Sequence, residues 1–132
     1  MNATCDTSVL IAVLAPWHPD HEQTREAVHD VTAIGAHVLL ESYSVLTRLP
    51  NGRLDPATAS EALAALPWGI IDLNESARAG LVSRLGRSDV SGGAVYDGLV
   101  GLTAAEHGLT LITRDRRARR TYDALGVEYA AL

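Results

Sequence analysis

The feature that most constrains this fold is a short apolar segment that ends in an acidic residue and runs straight into a helix. Near the N-terminus, residues 3–5 (Ala-Thr-Cys) suit a buried strand, and Asp6 follows at once. Thr7 is a good helix N-cap residue, and the apolar residues 9–11 continue a helix. A carboxylate in this position lies at the carboxyl edge of a sheet, where open α/β folds hold their functional crevice.

The alternation of short strands and helices continues along the chain. Further strands are predicted at 37–40, 70–73, 109–113 and 127–129. Helices are predicted at 7–15, 19–32, 42–49, 55–66, 74–85, 94–107 and 116–125. This order is typical of an α/β fold with a mainly parallel sheet. The 132 residues have the length expected of one domain, residues 1–132.

Local signals indicate how two of these helices begin and pack. Asp55, followed by proline at the first helical position, is expected to cap its helix. Ser91 is expected to cap the helix that starts near residue 94. On that helix Gly98, Gly101 and Ala104 form a smooth side, which allows a neighbouring element to approach closely.

Three predicted strands end in an acid, namely Asp6, Glu41 and Asp115. Parallel strands point their carboxyl ends the same way, so these acids should gather at one edge of the sheet. Asp97 lies near the start of the helix that leads into the Asp115 strand, so it should join them. Four adjacent carboxylates stay ionised only beside a cation. Oxygen ligands favour Mg²⁺ or Mn²⁺, and an ion held this way suits phosphate chemistry.

Each acid taken alone has a simpler interpretation as a helix cap, because acidic residues are favoured where helices begin. We prefer that interpretation for Asp72. Asp97 is harder to explain so, because its neighbours are apolar or small and a carboxylate there needs a partner. His18, His21 and Glu22 have helical metal-ligand spacing, but no further strong ligand set accompanies them, which favours a solvated helix start.

Basic charge is concentrated in one segment of an acidic chain. The net charge is −5, yet residues 114–120 carry +4, so the remainder carries −9. All 11 basic residues are arginine, and the absence of lysine excludes P-loop NTPases and Schiff-base enzymes. The single Cys5, the absence of an apolar run of ~20 residues and the absence of a basic leader predict a cytoplasmic protein with no membrane contact.

The acidic segments together resemble the PIN-domain family, and within it the VapC-like toxins of bacterial toxin–antitoxin pairs. The matching segments are residues 6–11, Glu41 at the head of its helix, residues 96–104 and residues 111–115. The similarity covers nearly the whole chain, and the order and spacing of the acids agree with the family.

The resemblance implies a three-layer α/β/α fold with a parallel sheet in the order 3-2-1-4-5, and an endoribonuclease that depends on Mg²⁺ or Mn²⁺. It implies that Asp6, Glu41, Asp97 and Asp115 are both the catalytic and the metal-binding residues, and that Thr113 orients Asp6. Asp6 and Asp97 would be the principal ligands of one ion, and Glu41 a candidate to orient the attacking water. The implied partners are an RNA substrate, a cognate antitoxin, and a second copy in a homodimer or a higher toxin–antitoxin assembly.

Arg114, Arg116 and Arg117 would then contact the RNA backbone, because guanidinium groups bind phosphate through two hydrogen bonds. The alternative for each is a solvated helix face or a contact to a protein. Family members often carry a further acid or Asn where Arg116 and Arg117 stand, which leaves a second metal ion in doubt. Trp17 and Tyr96 could stack on bases, although packing is the commoner role.

Two other functions remain open at this point. The first is a phosphatase on a Rossmann-like fold, which generally needs a second Asp where this chain has Ser8, and also a lysine. The second is a catalytically inactive PIN module that acts only by binding a partner. The presence of all four acids argues against the second.

Overall fold

The computed structural model describes residues 2–132, and within them the chain forms five short strands and eight helices. In chain order these are β1 (Ala3–Cys5), α1 (Thr7–Leu14), α2 (His21–Ala27), β2 (Ala33–Gly35), α3 (Ala36–Leu46), α4 (Pro56–Ala64), β3 (Gly69–Ile71), α5 (Glu75–Ala79), α6 (Leu81–Arg87), α7 (Ala94–Glu106), β4 (Thr110–Thr113), α8 (Arg116–Ala124) and β5 (Tyr129–Ala131). No helix among these residues is both long and apolar enough to cross a membrane.

Every strand pairing is parallel, which confirms the predicted α/β fold class. β4 lies between β1 and β5, and Cys5 of β1 stands opposite Ile112 of β4. β2 and β3 form a separate pair. A single bridge between Ala3 and Val31 connects the two sheets. The predicted order 3-2-1-4-5 is therefore not matched exactly, because the chain before β2 meets β1 at one residue rather than along a ladder.

The central strands are enclosed by helices. Every residue of β1 and of β4 is buried, as expected for parallel strands that are covered on both faces. α1 packs against α2 and α3, and α7 packs against α8. This arrangement leaves the carboxyl ends of β1 and β4 level with each other, with α1 and α8 leaving from the same edge.

The predicted strand at residues 37–40 is wrong. The strand here is β2, and α3 begins directly after it, with Gly35 as the N-cap. The apolar residues belong to the helix, since Val38 and Ser42 are buried one turn apart whereas Leu40 is 68% exposed. An apolar run of this length suits either a buried strand or one face of a helix.

Three smaller expectations also changed. The predicted helix over 74–85 is divided into α5 and α6 at Gly80. α7 begins after Gly93 with no side-chain cap, so Ser91 does not cap it. Asp6 rather than Thr7 caps α1. Asp55 caps α4 as expected, by accepting a hydrogen bond from the backbone N–H of Thr58.

Candidate active site

Asp6 is the most tightly bound of the four acids. It follows β1 directly and is only 5% exposed. Its Oδ1 accepts hydrogen bonds from Ser8 Oγ (2.5 Å) and the Val9 N–H (3.3 Å). Its Oδ2 accepts from Thr113 Oγ1 (2.5 Å) and Tyr122 OH (2.9 Å). These four donors match the roughly four acceptor positions of an ionised carboxylate, so the charge is held in one orientation.

Burial and hydrogen bonding act on the pKa of Asp6 in opposite directions. Burial raises this pKa, and the bonds from Ser8, Thr113, Tyr122 and Val9 lower it, with burial the larger effect. The pKa of Tyr122 is raised, first by burial and then by the negative charge on Asp6. The phenol therefore keeps its proton and remains a donor to Asp6.

The ends of β1 and β4 are joined by the same network. Asp6 donates its N–H to the carbonyl of Ile112 (3.2 Å). Thr113 Oγ1 accepts the N–H of Asp115 (3.0 Å), and Ser8 Oγ accepts the N–H of Arg114 (3.0 Å). Each hydroxyl thus donates to Asp6 and accepts from the chain after β4, which fixes Asp6 relative to Asp115.

Asp115 caps α8. Its Oδ1 accepts hydrogen bonds from the N–H groups of Arg117 (2.9 Å) and Ala118 (3.3 Å). The simpler interpretation as a helix cap is therefore correct for this residue. Capping is not the only effect of this carboxylate, since the negative charge of Asp115 also raises the pKa of Asp97.

Asp97 lies in the first turn of α7, half-buried. Its pKa is raised to about 6, first by burial and then by the negative charges of Asp115, Asp6 and Glu41. No donor in the described part of the chain forms a hydrogen bond with its carboxylate. The structure therefore brings the other three predicted acids close enough to Asp97 to act on its pKa, and no described residue gives Asp97 a positive or hydrogen-bonding partner.

Glu41 reaches this cluster by a different route from the expected one. It lies in the second turn of α3 rather than at a strand end. Its side chain is 39% exposed, and its Oε2 is 3.7 Å from Nε2 of His37, one turn earlier. The His37 ring is stacked on Tyr96 of α7, with ring centroids 5.4 Å apart and planes inclined by 6°.

The acids are gathered but do not form a closed ligand set. Within residues 2–132, no three His, Cys, Asp or Glu side chains are already arranged to hold a metal ion. Both oxygens of Asp6 accept hydrogen bonds, and Oδ1 of Asp115 caps a helix. Among the described residues, the carboxylate oxygens that accept no hydrogen bond are therefore those of Asp97 and Glu41, together with Oδ2 of Asp115.

The predicted RNA-binding arginines differ from one another in their surroundings. The guanidinium group of Arg114 pairs with Asp20. Arg116 and Arg117, in the first turn of α8, are exposed. The latter two can reach an external anion without giving up an ion pair.

Sequence reasoning missed three residues next to the acids, namely Ser8, His37 and Tyr122. Tyr122 lies 116 positions from Asp6, and no local pattern connects them. One signal was available for Tyr122. A tyrosine on the core-facing side of a helix implies a hydrogen-bond partner, because a buried phenol usually has one. His37 was assigned to a strand, which removed its one-turn relation to Glu41.

Comparison with known proteins defines the class. A family model of the PIN domain matches residues 3–124, and the chain belongs to the PIN-domain family. It is VapC-like within that family: it is 44% identical over 125 residues to ribonuclease VapC40 of Mycobacterium tuberculosis, which covers 93% of each chain. It is 42% identical over 124 residues to ribonuclease VapC27 of the same organism, which covers 92% of this chain and 90% of the relative.

A solved structure agrees in fold. The crystal structure of VapBC2 from Rickettsia felis, bound to a DNA fragment from its promoter, matches with a TM-score of 0.69 at 16% identity, over 100% of this chain and 99% of that chain. The resemblance stated from the acidic segments is confirmed by these comparisons.

Proposed function

We propose that this chain is the toxin of a toxin–antitoxin pair and acts as an endoribonuclease that uses Mg²⁺ or Mn²⁺ at the four-acid site. The observation that carries the proposal is Asp97, a half-buried carboxylate whose pKa is raised by the charges of three other acids and which accepts no hydrogen bond from residues 2–132. Two relatives that span at least nine tenths of the chain are named ribonucleases, which supports the same reaction here.

The residues present fit a divalent cation. The available ligands are carboxylate oxygens, which Mg²⁺ and Mn²⁺ prefer, and a cation would offset the repulsion that raises the pKa of Asp97. Asp6 and Asp97 would hold the ion, with Asp115 and Glu41 completing the site. Because Asp6 already accepts four hydrogen bonds, it would hold the ion through water, or directly by giving up one of those bonds. When bound, such an ion polarises a phosphoryl oxygen and promotes ionisation of water.

The protein's own groups would position the reactants. Ser8, Thr113 and Tyr122 keep Asp6 in one orientation, so the site needs little rearrangement. Glu41 is partly exposed, and within the described residues only the His37 ring lies within 4 Å of its carboxylate as a basic group, so it is suited to orient the attacking water. In-line attack on the phosphodiester would leave a 5′-phosphate and a 3′-hydroxyl.

The partners follow from the same proposal. A VapC-like toxin implies a cognate antitoxin that covers the acidic site, together with a homodimer or a larger toxin–antitoxin assembly. The RNA backbone would lie along α8, where Arg116 and Arg117 are exposed. We also propose a cytoplasmic location, where such an RNA substrate is available.

Incubation with total RNA, with and without Mn²⁺, tests the nuclease. Wild-type protein should cleave RNA only with the metal, and Asp97→Asn and Asp6→Asn should each abolish cleavage. Asp72→Asn is the matched control, because Asp72 also follows a strand but pairs with Arg78 outside the cluster. Mn²⁺ at 100 times its Kd should stabilise wild-type protein by about 2.7 kcal/mol, and Asp97→Asn should lose much of this. The proposal is overturned if Mn²⁺ neither promotes cleavage of RNA by the wild-type protein nor stabilises that protein.

A further inference from the structure

An exposed aromatic ring lies next to the acid cluster and has no role in the mechanism above. Tyr96 is 54% exposed, although large aromatic side chains are usually covered. Asp97 follows it directly in α7, so the ring and the central carboxylate leave the same turn of the helix.

The ring of Tyr96 is held in place. It is stacked nearly parallel on His37, at 5.4 Å and 6°. His37 in turn lies four residues before Glu41 on α3, or about 6 Å along the helix axis. The His37–Tyr96 pair therefore joins the two helices that carry Glu41 and Asp97, two of the four acids.

Next to Tyr96 the surface is apolar. The ring helps to line a cleft of about 360 Å³ between α6 and α7, together with Leu85, Val90, Val95 and Leu99. Proteins bind single-stranded RNA by stacking its bases on Tyr, His, Phe or Trp. A ring already fixed by a neighbour loses little conformational freedom when a base is added.

We propose that the His37–Tyr96 pair is a platform on which a nucleobase of single-stranded RNA stacks, next to the phosphate that is cleaved; this rests on the nuclease function proposed above. The four carboxylates read only the phosphate. The platform supplies affinity for unpaired RNA and fixes the position of the strand relative to the acids, with little preference for base identity. Paired bases cannot reach the ring, so the platform selects single strands.

The test measures binding and cleavage of random 12-nucleotide RNA by wild-type protein, Tyr96→Ala and Tyr96→Phe. Kd is measured in EDTA by fluorescence anisotropy, and KM and kcat are measured with Mn²⁺. Tyr96→Ala should raise Kd and KM by about 5-fold to 100-fold, the range that stacking of one base contributes. Tyr96→Phe keeps the ring and should stay close to wild type. Ile70→Ala, which removes an exposed apolar side chain of β3, is the control.

A second measurement separates stacking from a merely structural role. Single abasic nucleotides are placed at each position of one RNA that the wild-type protein binds. If a base stacks on Tyr96, one abasic position weakens wild-type binding and has no further effect on Tyr96→Ala. A change that only loosened α7 would lower the affinity equally at all positions, and would overturn the platform.

The outcomes distinguish the two proposals. If wild-type protein cleaves RNA and Tyr96→Ala leaves KM unchanged, the ring serves a protein contact, and the platform alone is wrong. If the protein binds RNA without cleaving it, and Tyr96→Ala weakens binding at one position, the platform stands and the nuclease is wrong. If wild-type protein neither binds nor cleaves RNA, both are wrong.

Discussion

The carboxylate of Asp6 is held in position by hydrogen bonds from hydroxyl groups rather than by a cationic side chain. Ser8, Thr113 and Tyr122 all donate to it, and all three come from different elements. A neutral donor leaves the negative charge intact, whereas an arginine partner would compete with a metal ion for it. The buried network therefore preserves a charged site at the edge of the sheet.

Replacing Tyr122 by Phe tests this network. The variant removes one donor from a buried carboxylate and should lower the free energy of unfolding by about 1.5–3 kcal/mol, the range for hydrogen bonds to charged groups. Chemical denaturation in EDTA measures the change. Tyr129→Phe is the control, since its hydroxyl bonds to Asp123 at an exposed position and should matter little. Equal effects of the two variants would contradict a special role for the buried bond.

The raised pKa of Asp97 predicts how the stability of the folded protein depends on pH. Its pKa in the folded protein, about 6, exceeds the unfolded value near ~3.9, so folding favours the protonated form. The stability from this proton is complete below pH ~4 and is lost as the pH rises through about 6. In EDTA, the Tm of wild-type protein minus that of Asp97→Asn should therefore fall between pH 4 and pH 7.

The difference between variants is the informative quantity, because other acids act with the opposite sign. Asp55 has a lowered pKa, caused by its bonds to Thr58, and becomes more stabilising as the pH rises. Subtracting the Asp97→Asn curve cancels such groups. Adding Mn²⁺ should raise the wild-type Tm more at pH 7 than at pH 5, since protons compete with the ion. A flat difference curve would mean that Asp97 is not crowded by the other acids.

At the scale of elements, α7 depends on two glycines for its close approach to α6, to α8 and to the chain that follows α8. A Cβ on Gly101 would lie 2.9 Å from Val127 Cγ2 and 3.1 Å from Tyr122 Cδ1. A Cβ on Gly98 would lie 2.6 Å from Leu85 Cδ2. The smooth side predicted for this helix agrees with these contacts, and it lets Tyr122 reach Asp6.

Gly101→Ala should therefore destabilise the protein despite the better helix propensity of Ala. Overpacking costs about 1–3 kcal/mol, and the gain in propensity offsets only up to about 1 kcal/mol of it. Gly86→Ala in α6 is the matched control, because nothing lies within 4 Å of its added Cβ, and it should stabilise by up to about 1 kcal/mol. Urea denaturation compares the two. Stabilisation by Gly101→Ala would show that α7 can move away from α8.

The elements also show how far sequence reasoning reaches. The acids, the strand–helix alternation and the cap at Asp55 follow local rules, and they could be predicted. The strand at 37–40 was wrong because three consecutive apolar residues fit two periodicities, and tertiary packing selected the helix. Glu41 still joined the cluster, because α3 begins at the end of β2 and carries Glu41 back over the same edge.

What the sequence could not supply is the pairing of distant residues. The bonds of Thr113 and Tyr122 to Asp6 join positions more than 100 residues apart. The stack of His37 on Tyr96 depends on the angle between α3 and α7. Local patterns determine which elements form, whereas these contacts depend on how the elements pack.

At the scale of the whole molecule, charge is separated. The chain carries −5 overall, while residues 114–120 carry +4. This basic segment includes Asp115 and continues through α8, so an RNA strand bound at the acids, as proposed, would pass α8. The rest of the chain carries −9, and like charge would direct the proposed RNA strand to the basic segment.

Salt dependence measures how many phosphates the basic segment neutralises. For single strands, log K falls with log [salt] by about 0.7 per phosphate contact. Arg116→Ser and Arg117→Ser should each weaken RNA binding at low salt and reduce this slope by about 0.7, with an unchanged preference among sequences, because phosphate contacts carry no base information. Arg53→Ser, in the exposed loop between α3 and α4, removes the same charge elsewhere and should leave the slope unchanged. Arg114→Ser should instead lower stability, because Arg114 pairs with Asp20. If the slope of log K against log [salt] is the same for the α8 variants and the Arg53 variant, RNA binding depends only on the net charge of the protein. In that case α8 does not lie along the path of the RNA.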